Sequence, residues 1–172
     1  MSYFNMTAWQ RWVRRVAGSL ALGLAVTIVA CGPAADDPTL VPPLTSDDHE
    51  CVALTLFWEA RAEGREGMLA VGWVVMNRMT DPRFPTTACG VVREGGERPG
   101  CQFSYWCDGR GDVPPPGAPW QLAQKVAAEM LSAPGYDPTD SALFYHSANL
   151  TAVPWTVTRK ETVRIGNHIY YR

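Results

Sequence analysis

The chain has 172 residues, 47% of them hydrophobic, and a formal net charge of -2. This length and apolar content suit one compact domain with additional segments. The near-neutral charge excludes the electrostatic footprint of a nucleic-acid-binding protein, so we expect no nucleic-acid partner.

The first thirty residues are typical of a secretory signal peptide. Three arginines precede an apolar run over residues 16–30, which is short for a membrane-spanning helix. A small residue then stands directly before Cys31, as in the lipobox of bacterial lipoproteins. We therefore expect residues 1–30 to be removed and Cys31 to be lipidated. The alternative is an ordinary cleaved signal followed by an incidental cysteine.

The segment after Cys31 predicts a tether. Residues 31–47 are rich in Pro, Ala, Asp and Thr and show no hydrophobic periodicity. Several acyl chains on Cys31 would hold the protein on a bilayer. Gly32 rather than Asp at the next position favours the outer membrane, facing the periplasm, if the host is Gram-negative. We expect an exported, lipid-anchored envelope protein whose folded domain covers residues 48–172.

Three helices are predicted, over residues 51–62, 65–79 and 120–133, from their apolar periodicity and their stop signals. Asp47 or Asp48 is the expected N-cap of the first helix. The apolar residues of the second helix are too frequent for a surface helix, so most of it should be buried.

Glu59 is the outstanding residue of the first helix, because it directly follows an apolar and aromatic run. Burial beside aromatic rings disfavours the ionised carboxylate and raises its pKa, as a general acid working near neutral pH requires. The alternative is a glutamate at the polar edge of the helix, paired with Arg61 or Arg65.

Outside the three helices, the domain contains a Gly- and Pro-rich segment and a C-terminal segment with strand patterns. Residues 83–119 are rich in Gly and Pro but carry adjacent aromatics, which predicts a disulfide-held loop or short strand rather than disorder. Residues 142–146 predict a strand, and residues 155–164 and 168–171 predict a hairpin with a Gly-Asn turn. We expect an α+β fold, mainly helical with a small C-terminal β element, and Glu59 at a cleft between two lobes.

The domain contains four cysteines, Cys51, Cys89, Cys101 and Cys107. An even number in an exported domain predicts two disulfides with three possible connectivities, of which we favour first with second and third with fourth. The spacing does not match a zinc knuckle and the chain has no HExxH element, so we expect neither a metal nor a cofactor. A Cys–His peptide amidase, with His146 or His168 as base, is a further alternative.

A series of short motifs runs in order along residues 51–172: Glu59-Ala60-Arg61-x-Glu63, Ala70-Val71 through Val75-x-Asn77-Arg78, Arg83-Phe84-Pro85, Cys89-Gly90-Val91-Val92, Cys101-Gln102-Phe103-Ser104, Cys107-Asp108-Gly109, Tyr145-His146 and His168-Ile169-Tyr170-Tyr171-Arg172. In order and spacing this series resembles the SleB-type cell wall hydrolase family, which includes spore cortex-lytic enzymes.

This resemblance implies peptidoglycan as the substrate and cleavage between N-acetylmuramic acid and N-acetylglucosamine. It also implies a lysozyme-like or resuscitation-factor-like catalytic lobe with Glu59 as the catalytic acid/base. One position departs from the family, because Ala62 stands where Gly is usual. Alanine is the better helix former, so the change is mild if the position is helical.

A glycoside hydrolase needs a second carboxylate, for which Glu63 and Asp108 are the candidates. Glu63 is four residues from Glu59, on the same wall of the cleft, which favours a structural pairing with an arginine or tuning of the acid's pKa. Asp108 could equally cap a turn. A lytic transglycosylase needs one glutamate, because the muramic acid 6-hydroxyl attacks its own anomeric carbon. We expect this reaction, with muramidase-type hydrolysis or a non-catalytic peptidoglycan-binding lipoprotein as alternatives.

The remaining candidates for the substrate groove are polar side chains that could bond acetamido and hydroxyl groups, and tryptophans that could stack on sugar rings: Asn77, Gln102, Ser104, Tyr145, His146, Trp58, Trp106 and Trp155. A structural role is the alternative for each. Arg78 is expected to complement the dipole of the second helix. Along residues 168–171, alternation predicts that His168 and Tyr170, or else their two neighbours, face the core.

Overall fold

The structure is a computed structural model that describes residues 43–96 and 100–172, all within one compact unit. The expected signal peptide, the lipidated Cys31 and most of the tether lie outside the described residues, so they stay predictions. In the described part, no helix has the length and apolar character needed to cross a membrane.

The first helix, α1, spans Ser46–Ala60 and begins earlier than predicted. Its N-cap is Thr45 rather than Asp47 or Asp48: the Thr45 hydroxyl accepts from the Asp48 amide at 3.2 Å, and the Asp48 carboxylate accepts from the Thr45 amide at 3.0 Å. This reciprocal pair is a capping box. Asp48 also accepts from the Cys89 amide at 3.1 Å, so the start of α1 is fixed to a distant segment.

Four further helices follow, namely α2 Gly64–Met79, α3 Ala88–Val92, α4 Ser104–Cys107 and α5 Ala118–Ser132. The long helices α1, α2 and α5 pack against one another around fully buried side chains that include Leu56, Met68, Val71 and Val126. Helices α2 and α5 begin one and two residues before their predicted starts. Helix α4 corrects the prediction of a loop or short strand in this region.

Two disulfides connect the helical part. Cys51 pairs with Cys89 and joins α1 to α3, with their Cα atoms 5.3 Å apart. Cys101 pairs with Cys107 around α4. This is the connectivity favoured from the sequence. Because all four cysteines are paired, none is a free thiolate nucleophile, and the Cys–His amidase alternative is wrong.

The C-terminal part is a three-stranded antiparallel sheet of β1 Phe144–Ser147, β2 Glu161–Ile165 and β3 His168–Tyr171, in the order β1-β3-β2. Tyr145 stands opposite Tyr170 in the register. The first half of the predicted hairpin strand is wrong: Pro154–Thr158 form a 3₁₀ helix instead. Proline fixes its own φ and donates no hydrogen bond, so it suits the first turn of a helix better than a paired strand.

Both faces of the sheet are covered. All four residues of β3 are buried, so the expectation that only alternate residues would face a core is wrong. Tyr170 packs with Ala70 and Val74 of α2 on one face. On the other face Trp155, from the 3₁₀ helix, contacts the ring of Tyr171. The helical part and the 3₁₀ helix therefore enclose the sheet between them.

Candidate active site

Glu59 lies in the last turn of α1, where the helical part meets the sheet. Its neighbours Leu56, Phe57 and Ala60 belong to the helical core, and the Glu59 side chain is partly buried. The hydroxyl of Tyr145, on β1, donates a hydrogen bond to Glu59 Oε2 at 3.1 Å. A carboxyl group from the helical part and a phenol from the sheet thus meet at one point.

The surroundings of Glu59 favour its protonated form. Burial raises the pKa of Glu59, and the hydrogen bond from Tyr145 lowers the pKa by less than burial raises it. Burial and the adjacent Glu59 raise the pKa of Tyr145 well above its ordinary value, so its hydroxyl remains a donor at neutral pH. Tyr105 of α4 is a second tyrosine close enough to feel the Glu59 charge, and its own hydroxyl is paired with Thr55 at 2.9 Å.

The alternative environment for Glu59, a surface pair with an arginine, is wrong. Arg61 places its guanidinium over the rings of Phe57 and Trp58, at 5.2 and 5.0 Å from the ring centres. Arg65 forms its ion pair with Glu129 of α5. Both arginines that could have neutralised Glu59 are therefore engaged elsewhere, which leaves a partly buried carboxyl group bonded to a neutral phenol.

Neither candidate for a second carboxylate, Glu63 or Asp108, forms a hydrogen bond with Glu59 or shifts its pKa. Glu63 Oε2 accepts a hydrogen bond from the backbone N–H of Asn167 at 2.9 Å, so its partner is a turn of the sheet and not the expected arginine. Asp108 is exposed and accepts from the amide of Arg110 at 2.8 Å, which makes it a turn cap. The pKa of Glu59 responds to burial and to Tyr145, with no contribution from either carboxylate.

Asn77 and Arg78, at the end of α2, anchor the chain just before β1. The Asn77 amide donates to Asp137 Oδ2 at 3.0 Å and to the Ala142 carbonyl at 3.1 Å. The Arg78 side chain is only 4% exposed, and its Nε donates to the Leu143 carbonyl at 2.8 Å. Asn77 thus supports β1, in line with the structural alternative to a groove role. Arg78 lies in the last turn of α2 as expected, and it is buried there as an internal anchor.

His146 and Trp155 lie on the other side of the sheet from Glu59. Successive strand residues point to opposite faces, so His146 faces away from the side on which Tyr145 reaches Glu59. His146 Nε2 pairs with the Tyr171 hydroxyl at 3.1 Å, and the Trp155 ring stands edge-on to His146 at 5.7 Å. The structure therefore does not bring these two predicted groove residues to Glu59.

The remaining groove candidates lie around the Cys101–Cys107 disulfide and near the end of α1. Gln102 and Ser104 are exposed. Trp106 is partly buried under the guanidinium of Arg93, 4.9 Å from its ring centre, and Trp58 donates to the carbonyl of Asp112 at 3.1 Å. Their role in binding substrate stays a prediction.

Two other features bear on ligand binding. The described ranges contain no group of three or more His, Cys, Asp or Glu side chains that could hold a metal ion. A cavity of about 230 Å³ lies between the start of α1 and α5, lined by Ser46, His49, Glu50, Ala53, Trp120 and Gln124. It does not include Glu59, and we assign it no part in the site.

Residues 62–171 match the family described as Cell Wall Hydrolase, so the chain belongs to the cell wall hydrolase family. The matched range begins three residues after Glu59, and the role of Glu59 therefore rests on its own geometry.

Curated relatives include the spore cortex-lytic enzyme of Bacillus subtilis strain 168, which is 29% identical over 126 residues, and that of Halalkalibacterium halodurans, 31% identical over 133 residues. These alignments cover 73% and 77% of this chain but only 38% and 37% of the enzymes. The chain thus spans less than half the length of these relatives.

Solved structures show the same fold. The catalytic domain of the Bacillus cereus SleB protein is 29% identical with a TM-score of 0.64, covering 80% of this chain and all of that domain. The catalytic domain of the germination-specific lytic transglycosylase SleB from Bacillus anthracis is 30% identical with a TM-score of 0.61, covering 74% of this chain and 96% of that domain. The predicted fold, mainly helical with a small C-terminal sheet, is confirmed.

Proposed function

We propose that this protein cleaves peptidoglycan glycan strands between N-acetylmuramic acid and N-acetylglucosamine as a lytic transglycosylase, with Glu59 as general acid and then general base. The observation that carries the proposal is the partly buried Glu59 carboxyl, held by the Tyr145 hydroxyl and free of any arginine. Family membership supports the substrate class, and the structural neighbour described as a lytic transglycosylase supports the reaction.

In the first step, protonated Glu59 gives its proton to the glycosidic oxygen as the bond from that oxygen to the muramic acid C1 breaks. In the second, the sugar's own 6-hydroxyl bonds to C1 and returns its proton to the Glu59 carboxylate. The product is a 1,6-anhydro sugar, and the enzyme regains its starting protonation. Between the steps the Tyr145 hydrogen bond to Oε2 stabilises the carboxylate and leaves Oε1 for the sugar oxygens. Such acid–base catalysis is typically worth about 10²–10⁴ in rate.

The contacts of the other carboxylates favour this route over hydrolysis. Hydrolysis with either stereochemical outcome uses a second carboxyl group across the sugar from the acid. Glu63 is bound to the Asn167 amide, and Asp108 caps a turn at an exposed position. A substrate that supplies its own nucleophile needs neither of them.

The proposal includes location in the cell envelope. Export by the predicted signal peptide and lipidation of Cys31 would place the domain beside peptidoglycan, and two disulfides suit an oxidising compartment. Cys31→Ala in the full-length protein should move it from the membrane fraction to the soluble fraction. Retention of the variant in the membrane fraction would contradict the anchor.

The reaction is tested by mass analysis of the soluble fragments that the full-length protein releases from purified sacculi. We expect anhydro-muropeptides, lighter by one water than reducing-end products, with release lowered at least about 100-fold by Glu59→Gln. Glu66→Gln, at an exposed position of α2, is the matched control and should release as much as the parent. Reducing-end muramic acid would instead indicate hydrolysis, and cuts in the peptide stem would overturn the proposal.

A further inference from the structure

Glu63 packs directly against the turn between β2 and β3. Its Oε2 accepts from the Asn167 amide at 2.9 Å, across 104 positions of sequence. Gly166, directly before Asn167, has φ +55, and a Cβ atom there would collide with the Glu63 carboxylate. Position 166 must therefore be glycine, and the residue after it must have a backbone N–H that can donate to Glu63.

Asn167 passes this contact on to β1. Its side-chain amide donates to the Ser147 hydroxyl at 3.1 Å, and its carbonyl accepts from the Ala148 amide at 2.8 Å. Ser147 is the last residue of β1 and Ala148 follows it directly, so both partners lie within three residues of Tyr145. Glu63 thus fixes the C-terminal end of the strand that carries the hydrogen-bond donor to Glu59.

The other end of β1 is fixed by α2. Asn77 and Arg78 donate to the carbonyls of Ala142 and Leu143, directly before the strand. Tyr145 therefore sits between two anchor points. Only the Glu63 anchor comes from the α1–α2 junction, four residues after Glu59 itself.

We propose that Glu63 is a positioning residue, which holds the Asn167 turn and thereby keeps the Tyr145 hydroxyl on Glu59. The inference rests on the proposed role of Glu59 and deepens it. It assigns Glu63 a function as a hydrogen-bond acceptor, for which its charge is not needed. A nucleophile or general base, in contrast, would need the carboxylate itself.

Substituting Glu63 by glutamine or by alanine distinguishes a hydrogen-bond acceptor from a nucleophile or general base. Glu63→Gln keeps an oxygen acceptor at nearly the same place, whereas Glu63→Ala removes it. The titratable groups that face Glu59 are Tyr145 from β1 and Tyr105 from α4.

Glu63 does not contribute to the Glu59 pKa directly. Its charge also raises the pKa of His168 and Tyr170 on β3, whose rings pack on Tyr145. A change at Glu63 should therefore reach Glu59 through Tyr145.

The test is a ¹³C-carboxyl NMR titration of Glu59 in the full-length protein, assigned by the signal that Glu59→Gln removes. Tyr145→Phe defines complete loss of the hydrogen bond and should raise the Glu59 pKa, because that bond lowers it. We expect Glu63→Ala to raise the pKa in the same direction and Glu63→Gln to leave it close to the parent value. If Glu63→Ala fails to fold, Asn167→Ala is the second variant. It keeps the backbone N–H that donates to Glu63 but loses the side-chain contact with Ser147, so it should give a smaller pKa shift of the same sign.

The proposal is overturned if Tyr145→Phe shifts the Glu59 pKa while Glu63→Ala and Asn167→Ala do not, or if Tyr145→Phe shifts nothing. It is also overturned if Glu63→Gln loses glycan cleavage as completely as Glu63→Ala, since that result would require the charge. The NMR titration needs no turnover, so it tests the role of Glu63 independently of the reaction. If the proposed reaction is wrong, the parent protein should leave sacculi intact although Tyr145→Phe and Glu63→Ala still shift the Glu59 pKa.

Discussion

The two faces of the C-terminal sheet have different surroundings although their residues alternate along the same strands. On the inner face Tyr145 directs a hydroxyl to Glu59, and Tyr170 packs on α2. On the outer face His146 and Tyr171 stack at 5.4 Å, and Trp155 closes over them. Adjacent polar residues of one motif can thus have different surroundings, with Tyr145 hydrogen-bonded to Glu59 and His146 packed among aromatic rings, because the strand pleat points them in opposite directions.

The largest effect on stability should come from the outer face. Trp155→Ala removes ring contacts with Phe144, His146 and Tyr171, and we expect a loss of about 2–3 kcal/mol, below the roughly 3–5 kcal/mol of a fully buried tryptophan. Urea unfolding measures this loss. Cleavage per folded molecule should be unchanged because the outer face does not contact Glu59.

Val157→Ala is the matched control for this change, since Val157 lies on the same 3₁₀ helix and is 85% exposed. It should change stability by less than about 0.5 kcal/mol. A loss of cleavage by Trp155→Ala without a loss of stability would place Trp155 in the substrate groove and contradict its assignment to the outer face.

On the inner face, Glu59→Gln should stabilise the protein while it abolishes cleavage. The folded-state pKa of Glu59 is raised, so the stability from its protonated form is present below the ordinary value of 4.5 and is lost as pH rises through the folded-state pKa. The neutral glutamine does not lose it. Unfolding of parent and variant should therefore agree in acid and diverge toward neutral pH in favour of the variant. Equal unfolding free energies at both pH values would contradict the burial of a costly carboxylate.

The smallest effect should come from His146→Gln. This change leaves a hydrogen-bond donor near the Tyr171 hydroxyl, so we expect a cost of about 1 kcal/mol or less and full cleavage activity. A pH–rate profile measures the second point. Loss of a titration step together with a large loss of rate would make His146 a proton relay and would contradict its assignment to the outer face.

Local patterns predicted much of this molecule. Apolar periodicity located the long helices within a few residues, and the cysteine count led to the observed disulfides. The apolar run directly before Glu59 predicted the partial burial that raises its pKa. The signals for the helices and for Glu59 each lie within a short segment, where the spacing of apolar residues alone indicates burial.

Contacts between distant segments could not be predicted in the same way. The partner of Glu63 is an amide 104 positions away, and Arg78 finds its acceptor 65 positions away. The strand pattern around Trp155 was misread because apolar alternation does not exclude a 3₁₀ helix when Pro154 opens it. Which residues of the sheet are buried therefore depends on the segments that pack on each face, and these are distant in sequence. In the sequence, Tyr105 lies within the cysteine-bounded aromatic motif, but nothing there places its hydroxyl next to Thr55.

The most direct test of the account is the pH–rate profile of glycan cleavage for the parent and Tyr145→Phe. In the proposed mechanism Glu59 must be protonated, so the rate should fall as pH rises through the Glu59 pKa. Loss of the Tyr145 hydrogen bond raises that pKa further, and the alkaline limb should move to higher pH. The maximal rate should fall about 10- to 100-fold, because a hydrogen bond to a charged group is worth about 1.5–3 kcal/mol. An alkaline limb that stays in place, or moves to lower pH, would contradict Glu59 as the acid that Tyr145 tunes.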